Sequence, residues 1–469
     1  MNKQASTSAK TTLVVGAGTT GLSVLRHLYG QEPLVLIDTR GPEVFGADAQ
    51  AELPAVQTLL DADRVHLETQ LNSVLPKIRR AVLSPGLSED HWLLRRLRDE
   101  NISLCTDIDL FFAAVDVPVI GITGTNGKST VTSLVATLLS AVGLRARAGG
   151  NLGPAALDLL SEDADAFVLE LSSFQLARSE RLPYRVACIL NICPDHLDYH
   201  GTMSAYIEAK QRIYTAATHA VYAREDAETY PNSGPDGGPA ARSSFGLDAP
   251  ALGDVGVLIQ NQTRWLVAAV DSVASPWLVL PCAELGIPGR HNESNALAAL
   301  AMVLALLPEP PDSEALAEAL RGFSGLPHRC ERVAVVNDVT FINDSKATNV
   351  GATVAAVEGL RSDAGARLLV LLGGDGKGAD FSALAPVLAT GVRAAFVYGA
   401  DAQRIYDVLA DVLPTQHCPT LIDAVDAALV QAQPGDSVVL SPACASFDQF
   451  ANFEARGDAF RQYVQELAA

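Results

Sequence analysis

The sequence is poor in the features that mark several classes of protein. Its 469 residues include only seven cysteines, scattered without CxxC spacing, so we expect reduced thiols rather than a disulfide scaffold. The longest apolar run, residues 295–307, is too short to cross a bilayer and predicts a buried helix. Residues 1–10 are polar and lack the apolar core of a signal peptide. We therefore expect a cytoplasmic protein without membrane insertion.

Positive charge is also scarce. The chain has 34 Lys and Arg against 54 Asp and Glu, a formal net charge of −20. Such a chain repels polyanions, which argues against nucleic acid as a partner. Because positive charge is scarce in this chain, basic residues that lie in a pocket are more informative about function than they would be in a basic protein. The length predicts about three domains.

The most informative segment is residues 117–130, VPVIGITGTNGKST. An apolar stretch, a glycine-rich turn and helical apolar spacing over residues 131–142 predict a strand, a loop and a helix whose N–H groups cradle phosphates. Lys128 would reach the β- and γ-phosphates, and a following hydroxyl would bind Mg²⁺. The general P-loop has glycine where this chain has Ile122. The segment predicts a nucleoside triphosphate site.

A second glycine-rich turn lies near the start of the chain. A strand over residues 11–15 is followed by a GxGxxG pattern at residues 16–21, a helix, and a strand that ends at Asp38. These elements predict a Rossmann-type unit, although glycines in this pattern often serve only tight packing. An NAD-dependent oxidoreductase would use this turn but would leave Lys128 without a role.

Two further segments place polar side chains at the ends of predicted strands. Glu170 follows an apolar strand, where a carboxylate completes the Mg²⁺ shell in P-loop enzymes; its alternative partner is a helix N-terminus. His196 lies beside two acids after the strand at residues 186–190, which favours a functional over a structural histidine. Lys210 has the pattern of an ordinary helix-surface lysine.

Together these motifs resemble the ATP-dependent Mur ligases. The motifs are GTNGKST at 124–130, ELSSFQ at 170–175, Asp195-His196 and the segment around Lys210. Residues 325–329 (GLPHR), 343–349 (NDSKATN), 373–377 (GGDGK) and 441–450 are similar to the members that add glutamate. The resemblance covers nearly the whole chain except residues 1–10 and the loop-rich residues 224–255.

The resemblance implies an α/β fold with three domains. These are a Rossmann-like UDP-substrate-binding domain (1–111), a central P-loop ATP-binding domain with a parallel sheet (112–325) and a C-terminal Rossmann-like glutamate-binding domain (326–469). The implied substrates are small molecules, namely ATP, UDP-N-acetylmuramoyl-L-alanine and D-glutamate, and we expect a monomer. L-glutamate, or a folate polyglutamate-adding ligase of the same superfamily, remains an alternative. A purely regulatory nucleotide switch would not need His196, Lys210 and Lys377.

The resemblance also implies two Mg²⁺ ions and the catalytic residues Lys128, His196 and Lys210. Ser129 and Glu170 would hold the ion between the β- and γ-phosphates. His196 and Lys210 would serve the second ion, with a carbamate on Lys210 because a protonated amine cannot bind a metal.

The remaining expected contacts fall into three groups. The ATP group is Gly124, Thr125, Asn126, Gly127, Lys128, Ser129, Thr130, Asn292, Asn295, Arg329 and Asp344. The UDP-substrate group is Thr19, Thr20, Asp38, Thr39, Arg40, Gly86, Asn151, Ser172 and His196. The glutamate group is Lys346, Thr348, Lys377, Ser446, Phe447 and Phe453. Asn292 could instead be only a helix N-cap, Arg40 a solvated charge, and the turn of Lys377 a plain surface loop.

Overall fold

The computed structural model describes residues 11–38, 57–60, 64–87, 89, 91–179, 181–232, 238–270, 276–287, 289–361 and 367–468. It contains three sheets that follow one another along the chain, each with helices beside it. The α/β class with three domains is therefore confirmed. The first sheet ends at Cys105, the second begins at Val119 and the third at Glu331, while the boundaries after residues 111 and 325 stay predictions.

The first sheet has five parallel strands in the order β3-β2-β1-β4-β5. The strand order reverses between β1 and β4, and ligands bind at such a switch point in open α/β sheets. The Ser84 N–H donates to Val15 O at 3.0 Å, so the loops after these two strands lie side by side. The strands are β1 (Thr11–Val15), β2 (Leu34–Asp38), β3 (Gln57–Leu60), β4 (Ile78–Leu83) and β5 (Ser103–Cys105). The helices are Thr19–Leu28, Arg64–Val74, Trp92–Asp99 and Asp107–Ala114.

The second sheet has nine strands in the order β14-β13-β12-β11-β10-β9-β6-β8-β7. The expected parallel sheet extends from β7 to β12, but β12, β13 and β14 pair antiparallel. Asn261 and Gln262, both at positive φ, join β12 to β13 in a turn too short for a crossover. The strands are β6 (Val119–Thr123), β7 (Ala146–Gly150), β8 (Ala166–Glu170), β9 (Val186–Ile189), β10 (His219–Ala223), β11 (Ala241–Phe245), β12 (Val255–Gln260), β13 (Thr263–Ala268) and β14 (Trp277–Pro281).

Two helices of this region form the main core. The helix after the P-loop buries Val131, Leu134, Val135 and Leu138, which recur at helical spacing on one face. Each such side chain contributes about 1.5–3 kcal/mol, so the helix holds the loop before it firmly. The predicted buried helix is also present and spans Arg290–Leu306. The helices of this region are Lys128–Ala141, Ala156–Leu159, Ser173–Arg178, Leu197–His200, Met203–Gln211, Arg290–Leu306 and Ser313–Gly322.

The third sheet has six strands in the order β15-β16-β20-β17-β18-β19, all parallel except β15. The loops after β16, β20 and β17 are therefore neighbours at one edge. The strands are β15 (Glu331–Val336), β16 (Val339–Asn343), β17 (Leu368–Gly373), β18 (Val392–Tyr398), β19 (Thr415–His417) and β20 (Ser437–Leu440). The helices are Val350–Leu360, Leu384–Leu388, Ala402–Leu409, Leu421–Gln431 and Phe453–Ala468. None of the helices described in the chain is long and apolar enough to cross a membrane.

Candidate active site

The P-loop leaves β6 at the centre of the second sheet, with β8 on one side and β9 on the other. Gly124 (φ 150°) and Gly127 (φ 81°) adopt positive φ, which side chains disfavour. A Cβ on Gly127 would lie 2.5 Å from Asn295 Oδ1, so the loop packs directly on the helix Arg290–Leu306. The predicted helix after the loop begins three residues earlier than expected, at Lys128. The loop therefore presents a helix N-terminus, which favours a bound phosphate.

Lys128 lies within this loop. Its Nζ donates to the carbonyl oxygens of Gly124 at 3.0 Å and Thr125 at 2.7 Å. Burial lowers the pKa of Lys128, and Glu170 partly opposes that shift. A phosphate group at this position would favour the charged form of the lysine and so strengthen its own binding.

Glu170, at the end of β8, has the properties of a cation ligand. Oε1 accepts a hydrogen bond from Asn151 Nδ2 at 2.7 Å, whereas Oε2 is buried without a hydrogen-bond partner among the described residues. Burial acts to raise the pKa of Glu170, but Lys128 leads the groups that hold it below its ordinary value. A charged, buried oxygen with a free lone pair fits a divalent cation. Asn151 occupies Oε1, and Ser129, in the first turn of the helix Lys128–Ala141, also helps to lower the pKa of Glu170, so the alternative of a helix N-terminus as its partner stays open.

No group of three or more His, Cys, Asp or Glu side chains forms a metal cluster in the described part of the chain. The residues expected to hold Mg²⁺ would not form such a cluster, because two of them, Ser129 and Lys210, are of other residue types. Glu170 and Ser129 both lie at the P-loop, and the residues present fit one divalent ion there.

Arg329 joins the second and third sheets at the P-loop. Its Nη2 donates to Ser129 Oγ at 2.7 Å across 200 positions of sequence. The next residue, Cys330, donates its backbone N–H to Asp344 Oδ1 at 3.2 Å, and Ser441 Oγ donates to Asp344 Oδ2 at 2.9 Å. Burial raises the pKa of Asp344 to about 7. The expected residues Ser129, Arg329 and Asp344 therefore lie together at this boundary.

Asn292 and Asn295 lie on the helix that packs against the P-loop. Asn295 Nδ2 donates to Asn292 Oδ1 at 3.0 Å. The helix begins at Arg290 with Gly289 as its N-cap, so the alternative of Asn292 as the N-cap is wrong. A cavity of about 360 Å³ opens here, lined among others by Asn126, Thr130, Asn292, Asn295, Arg329 and Asp344.

Lys210 is buried rather than on a helix surface, with 2 % of the residue exposed. The helix Met203–Gln211 packs against the P-loop, and Lys210 Nζ donates to Gly124 O at 2.7 Å. It also lies 4.6 Å from the centre of the Tyr206 ring. Burial, together with the neighbouring charge of Lys128, lowers the pKa of Lys210 well below its ordinary value. Burial and the neighbouring cation thus both act against the charged form of the amine.

His196 follows β9 in the left-handed conformation, at φ 52°. Its ring meets the edge of Phe174 at 4.9 Å between centroids, and its Nε2 lies 3.8 Å from Asp195 Oδ2. Ser172 is the N-cap of the helix Ser173–Arg178, where its Oγ accepts from Gln175 N at 3.2 Å. The hydroxyl group of Ser172 thus already caps this helix. The expected substrate contact would have to use the same hydroxyl group.

Four of the expected UDP-substrate residues, Thr19, Thr20, Asp38 and Gly86, lie at the switch point of the first sheet, whereas Asn151, Ser172 and His196 follow strands of the second sheet. Thr19 and Thr20 open the helix after the glycine turn, and the buried Asp38 accepts from Ala17 N at 2.7 Å. A Cβ on Gly21 would lie 1.8 Å from Gly16 O, so this glycine is required for close helix–strand packing. A cavity of about 290 Å³ is lined among others by Gly16, Asp38, Ser84, Gly86 and His91. Thr39 and Arg40 lie outside the described residues.

The expected glutamate residues form two pairs at the edge of the third sheet. Lys346 Nζ lies 3.5 Å from the centre of the Phe453 ring, and burial lowers the pKa of Lys346 to about 8. Lys377, exposed at φ 50°, lies 5.6 Å from the ring of Phe447, which is 65 % exposed. Ser446 is buried, whereas Thr348 is exposed. Exposure leaves the alternative of a plain surface loop open for Lys377.

Two polar residues escaped the sequence interpretation. Asn349 Nδ2 donates to Asp195 Oδ2 at 3.1 Å and to Asn126 Oδ1 at 3.4 Å, a second link between the sheets. The guanidinium of Arg456 is fully buried and donates to oxygens of two loops and of the last residue of β17. These oxygens belong to Ser345, Gly373 and Cys444. Asn349 stands in a motif quoted above, whereas nothing in the pattern around Arg456 marks it.

Comparison with protein families agrees with this arrangement. Three family models match in chain order: the Mur ligase MurD-like N-terminal domain at residues 10–106, the Mur ligase middle domain at 122–303 and the Mur ligase glutamate ligase domain at 328–444. The chain belongs to the Mur ligase family.

Similar curated proteins define the branch of that family. The chain is 41 % identical to a protein of Legionella pneumophila, over 97 % of this chain and 99 % of the relative. Identity is 43 % to a protein of Chromohalobacter salexigens (97 % and 96 % covered) and 42 % to one of Pseudomonas aeruginosa (97 % and 98 %). All three are named UDP-N-acetylmuramoylalanine–D-glutamate ligase. The oxidoreductase alternative is therefore wrong.

Solved structures share the fold at low identity. The UDP-N-acetylmuramate–alanine ligase of Thermotoga maritima matches with a TM-score of 0.59 at 17 % identity, covering 98 % of this chain and 99 % of that one. FolC of E. coli in complex with ADP matches with a TM-score of 0.57 at 17 % identity, covering 77 % and 94 %. The fold is thus common to muramoyl and folate ligases and does not separate them.

Proposed function

We propose that this chain is an ATP-dependent amide ligase that joins D-glutamate to UDP-N-acetylmuramoyl-L-alanine in peptidoglycan biosynthesis, releasing ADP and phosphate. The observation that carries the proposal is the convergence on one P-loop of Glu170, with its unpartnered buried oxygen, Lys210 and Arg329. Its location in the cytoplasm and its action as a monomer on small molecules belong to the same proposal.

The first step joins two anions. A carboxylate oxygen of the UDP-linked alanine attacks the γ-phosphorus of ATP, the bond to ADP breaks, and an acyl phosphate forms. Such a step depends on alignment and on neutralising charge. Lys128, on the P-loop, and Arg329, 2.7 Å from Ser129, supply fixed positive charge where the phosphates would lie. The N–H groups of Gly127 to Thr130, at the helix N-terminus, would hold the remaining phosphate oxygens, because those of Thr125 and Asn126 already donate to Asn191.

The second step forms the amide bond. The free amine of glutamate attacks the acyl carbon to give a tetrahedral intermediate; phosphate then leaves with the C–O electron pair, and the nitrogen loses a proton. Lys346 and Lys377 would each hold a carboxylate of the incoming amino acid. Thr348, Ser446 and the backbone near Phe447 would add hydrogen bonds, and Phe453 would form an apolar wall.

Mg²⁺ would be held by Ser129 and Glu170, and a second ion by His196 and Lys210; bound there, the ions would neutralise phosphate charge. The lowered pKa of Lys210 increases the share of neutral amine, which is the form that captures CO₂. A C–N bond forms and a proton leaves, which converts the side chain into an anionic carbamate. Burial beside Lys128 supports this modification, because an anion there would be paired with a cation.

The two nucleotides would occupy separate cavities. ATP would lie against Asn292, Asn295, Arg329 and Asp344, where the 360 Å³ cavity opens. The UDP group would lie at the first sheet, with its phosphates at the N-terminus of the helix Thr19–Leu28 and its base near Asp38 and Gly86. Asn151, Ser172 and His196 would meet the sugar and alanine at the second sheet.

Phosphate release by the purified chain tests this proposal. With ATP and UDP-N-acetylmuramoyl-L-alanine, D-glutamate should support release, whereas L-glutamate and D-aspartate should not. Equal release with L-glutamate would overturn the assigned stereochemistry. Release that requires a folate acceptor in place of the UDP-sugar would overturn the substrate class.

A further inference from the structure

We propose that Arg178 is a positioning residue that sets the shape of the UDP-substrate site from the neighbouring domain. The inference rests on the proposed function, because it assumes that the UDP group binds at the switch point of the first sheet. Arg178 belongs to the second region of the chain, and it reaches residues 84–87 and 89 after β4, which will be called the β4 loop.

Arg178 satisfies three oxygens of the β4 loop at once. Its Nη1 donates to Ser84 O at 3.1 Å, its Nη2 donates to Leu87 O, and its Nε donates to Glu89 Oε1 at 2.8 Å. The side chain is only 5 % exposed. A planar guanidinium can serve three acceptors in fixed directions, whereas a lysine ammonium cannot reproduce that fork.

The carboxylate of Glu89 accepts hydrogen bonds from one arginine of each domain. Arg98, on the first domain's own helix, donates to Glu89 Oε2 at 2.7 Å. Burial acts to raise the pKa of Glu89, but Arg98 and Arg178 together hold it below the ordinary value. Glu89 therefore stays charged and links Arg178 to the body of the first domain.

Arg178 is itself anchored in the second domain. It ends the helix Ser173–Arg178, where Arg212 donates to Leu176 O at 2.8 Å and to Ser179 O at 2.6 Å. Ser179 Oγ also lies 3.2 Å from Thr106 Oγ1 in a buried contact across the boundary. The guanidinium thus transmits the position of this helix to the β4 loop.

The β4 loop forms one wall of the 290 Å³ cavity. Ser84 and Gly86 line it opposite Gly16 and Asp38. A Cβ on Gly16 would lie 2.5 Å from Ser84 Oγ, so the glycine turn and the β4 loop are in direct contact. A shift of the β4 loop would change the cavity without touching the P-loop.

Kinetics and direct binding test the assignment. In Arg178→Lys and Arg178→Ala, KM for UDP-N-acetylmuramoyl-L-alanine and Kd for UDP should rise about tenfold, the loss expected for charge-assisted hydrogen bonds. KM for ATP and D-glutamate and kcat should stay within about twofold, because only the UDP site is changed. Glu89→Gln, which keeps the shape but removes the charge, should give a smaller increase in the same two constants.

Arg26→Ala is the matched control. Arg26 pairs with Asp158 at 2.7 Å across the same domain boundary, but its side chain is 42 % exposed and does not contact the β4 loop. This variant should leave both constants unchanged. Arg178→Lys and Glu89→Gln keep the test informative if Arg178→Ala does not fold.

Two results would separate the inference from the proposed function. A wild-type chain without D-glutamate-dependent phosphate release would refute the proposed function. An active wild-type chain whose Arg178→Lys variant shows an unchanged Kd for UDP, or equal increases in KM for all three substrates, would refute the role of Arg178 alone.

Discussion

The two boundaries between the three sheets are built differently. Between the first and second sheets the apolar core is continuous, since Leu25, Phe111 and Leu157 belong to one buried cluster. Between the second and third sheets, Arg329 and Asn349 make polar contacts at the P-loop. The helix Arg290–Leu306 also meets the helix Val350–Leu360, where a Cβ on Gly359 would lie 2.3 Å from His291 Nδ1, but no apolar cluster of the described residues spans this boundary. The third sheet has its own apolar clusters on its two faces. Separating a shared core exposes apolar surface, whereas hydrogen bonds exchange with water at little cost. We therefore predict that the second boundary separates more easily than the first.

Lys128→Ala should have the largest effect of the variants that compare the two boundaries. ATP would bind at the second boundary and UDP at the first, so the variant should lose about 10³-fold in turnover because a charge at the transferred phosphate is removed. The Kd for UDP, measured by calorimetry, should stay unchanged. Substantial D-glutamate-dependent phosphate release by this variant would contradict the role given to the P-loop.

Stability measurements compare the boundaries directly. Phe111 is fully buried and meets the ring of Phe167 edge-on at 5.4 Å. Phe111→Ala should lower the free energy of unfolding by about 3–5 kcal/mol, the cost of a large core cavity.

Asn349→Ser is the counterpart at the second boundary. Serine can retain the N-cap that Asn349 Oδ1 provides to Ala352 N, while it removes the amide that reaches Asp195. The free energy of unfolding should fall by less than about 1 kcal/mol. Equal losses in the two variants, measured by urea denaturation, would show that the boundaries are equally tight.

Lys210→Ala tests the carbamate. Turnover should fall about 100-fold, because an anionic ligand at the P-loop is lost. Acetate or formate should restore part of the activity by occupying the vacated position. Lys210→Arg should not restore it, since a guanidinium stays cationic. Near-wild-type turnover of the Arg variant would mean that Lys210 acts only as a positive charge and would contradict the carbamate.

The pH dependence tests the role of Lys346, which lies on the third-sheet side of the second boundary. Its pKa of about 8 means that the amine is charged below that pH and neutral above it. A carboxylate is attracted only by the charged form, so KM for D-glutamate should rise above pH 8. Lys346→Arg keeps its charge, and the wild-type to variant ratio of kcat/KM should fall about tenfold from pH 7 to pH 9. Because the substrate amine titrates equally for both proteins, a constant ratio would exclude Lys346 from glutamate binding.

The smallest expected effect is a change of shape. ATP would contact both the second and third sheets, so ATP with the UDP-substrate should favour a closed arrangement. Small-angle X-ray scattering should show a slightly smaller radius of gyration with both ligands than without them. Identical profiles would mean that the second boundary is as fixed as the first.

Much of the fold follows from local patterns. The apolar runs at residues 166–171, 186–190 and 367–372 became strands β8, β9 and β17 within one or two residues, since buried parallel strands are almost continuously apolar. The antiparallel strands β12–β14 escaped prediction because the Asn261–Gln262 turn lacks the usual glycine.

In the candidate site, too, local patterns predicted some residues and missed the contacts of others. Glycine turns and strand ends located Lys128, Glu170 and His196, because each depends on the residues next to it. The contact of Arg329 with Ser129 joins positions 200 residues apart, and no local pattern predicts it. The burial of Lys210 is likewise a product of packing, since its helix carries no periodicity that distinguishes a buried lysine from a surface one.

The separate apolar clusters of the third sheet have an evolutionary consequence. Mutations in the loops after β16, β17 and β20 would change the proposed surroundings of the incoming amino acid, but they would not alter the core that holds the P-loop. Selection can therefore vary the amino acid that is added while the phosphate chemistry is inherited unchanged. A lineage in which one ligase duplicates could acquire a new amino-acid specificity by substitutions in this one region.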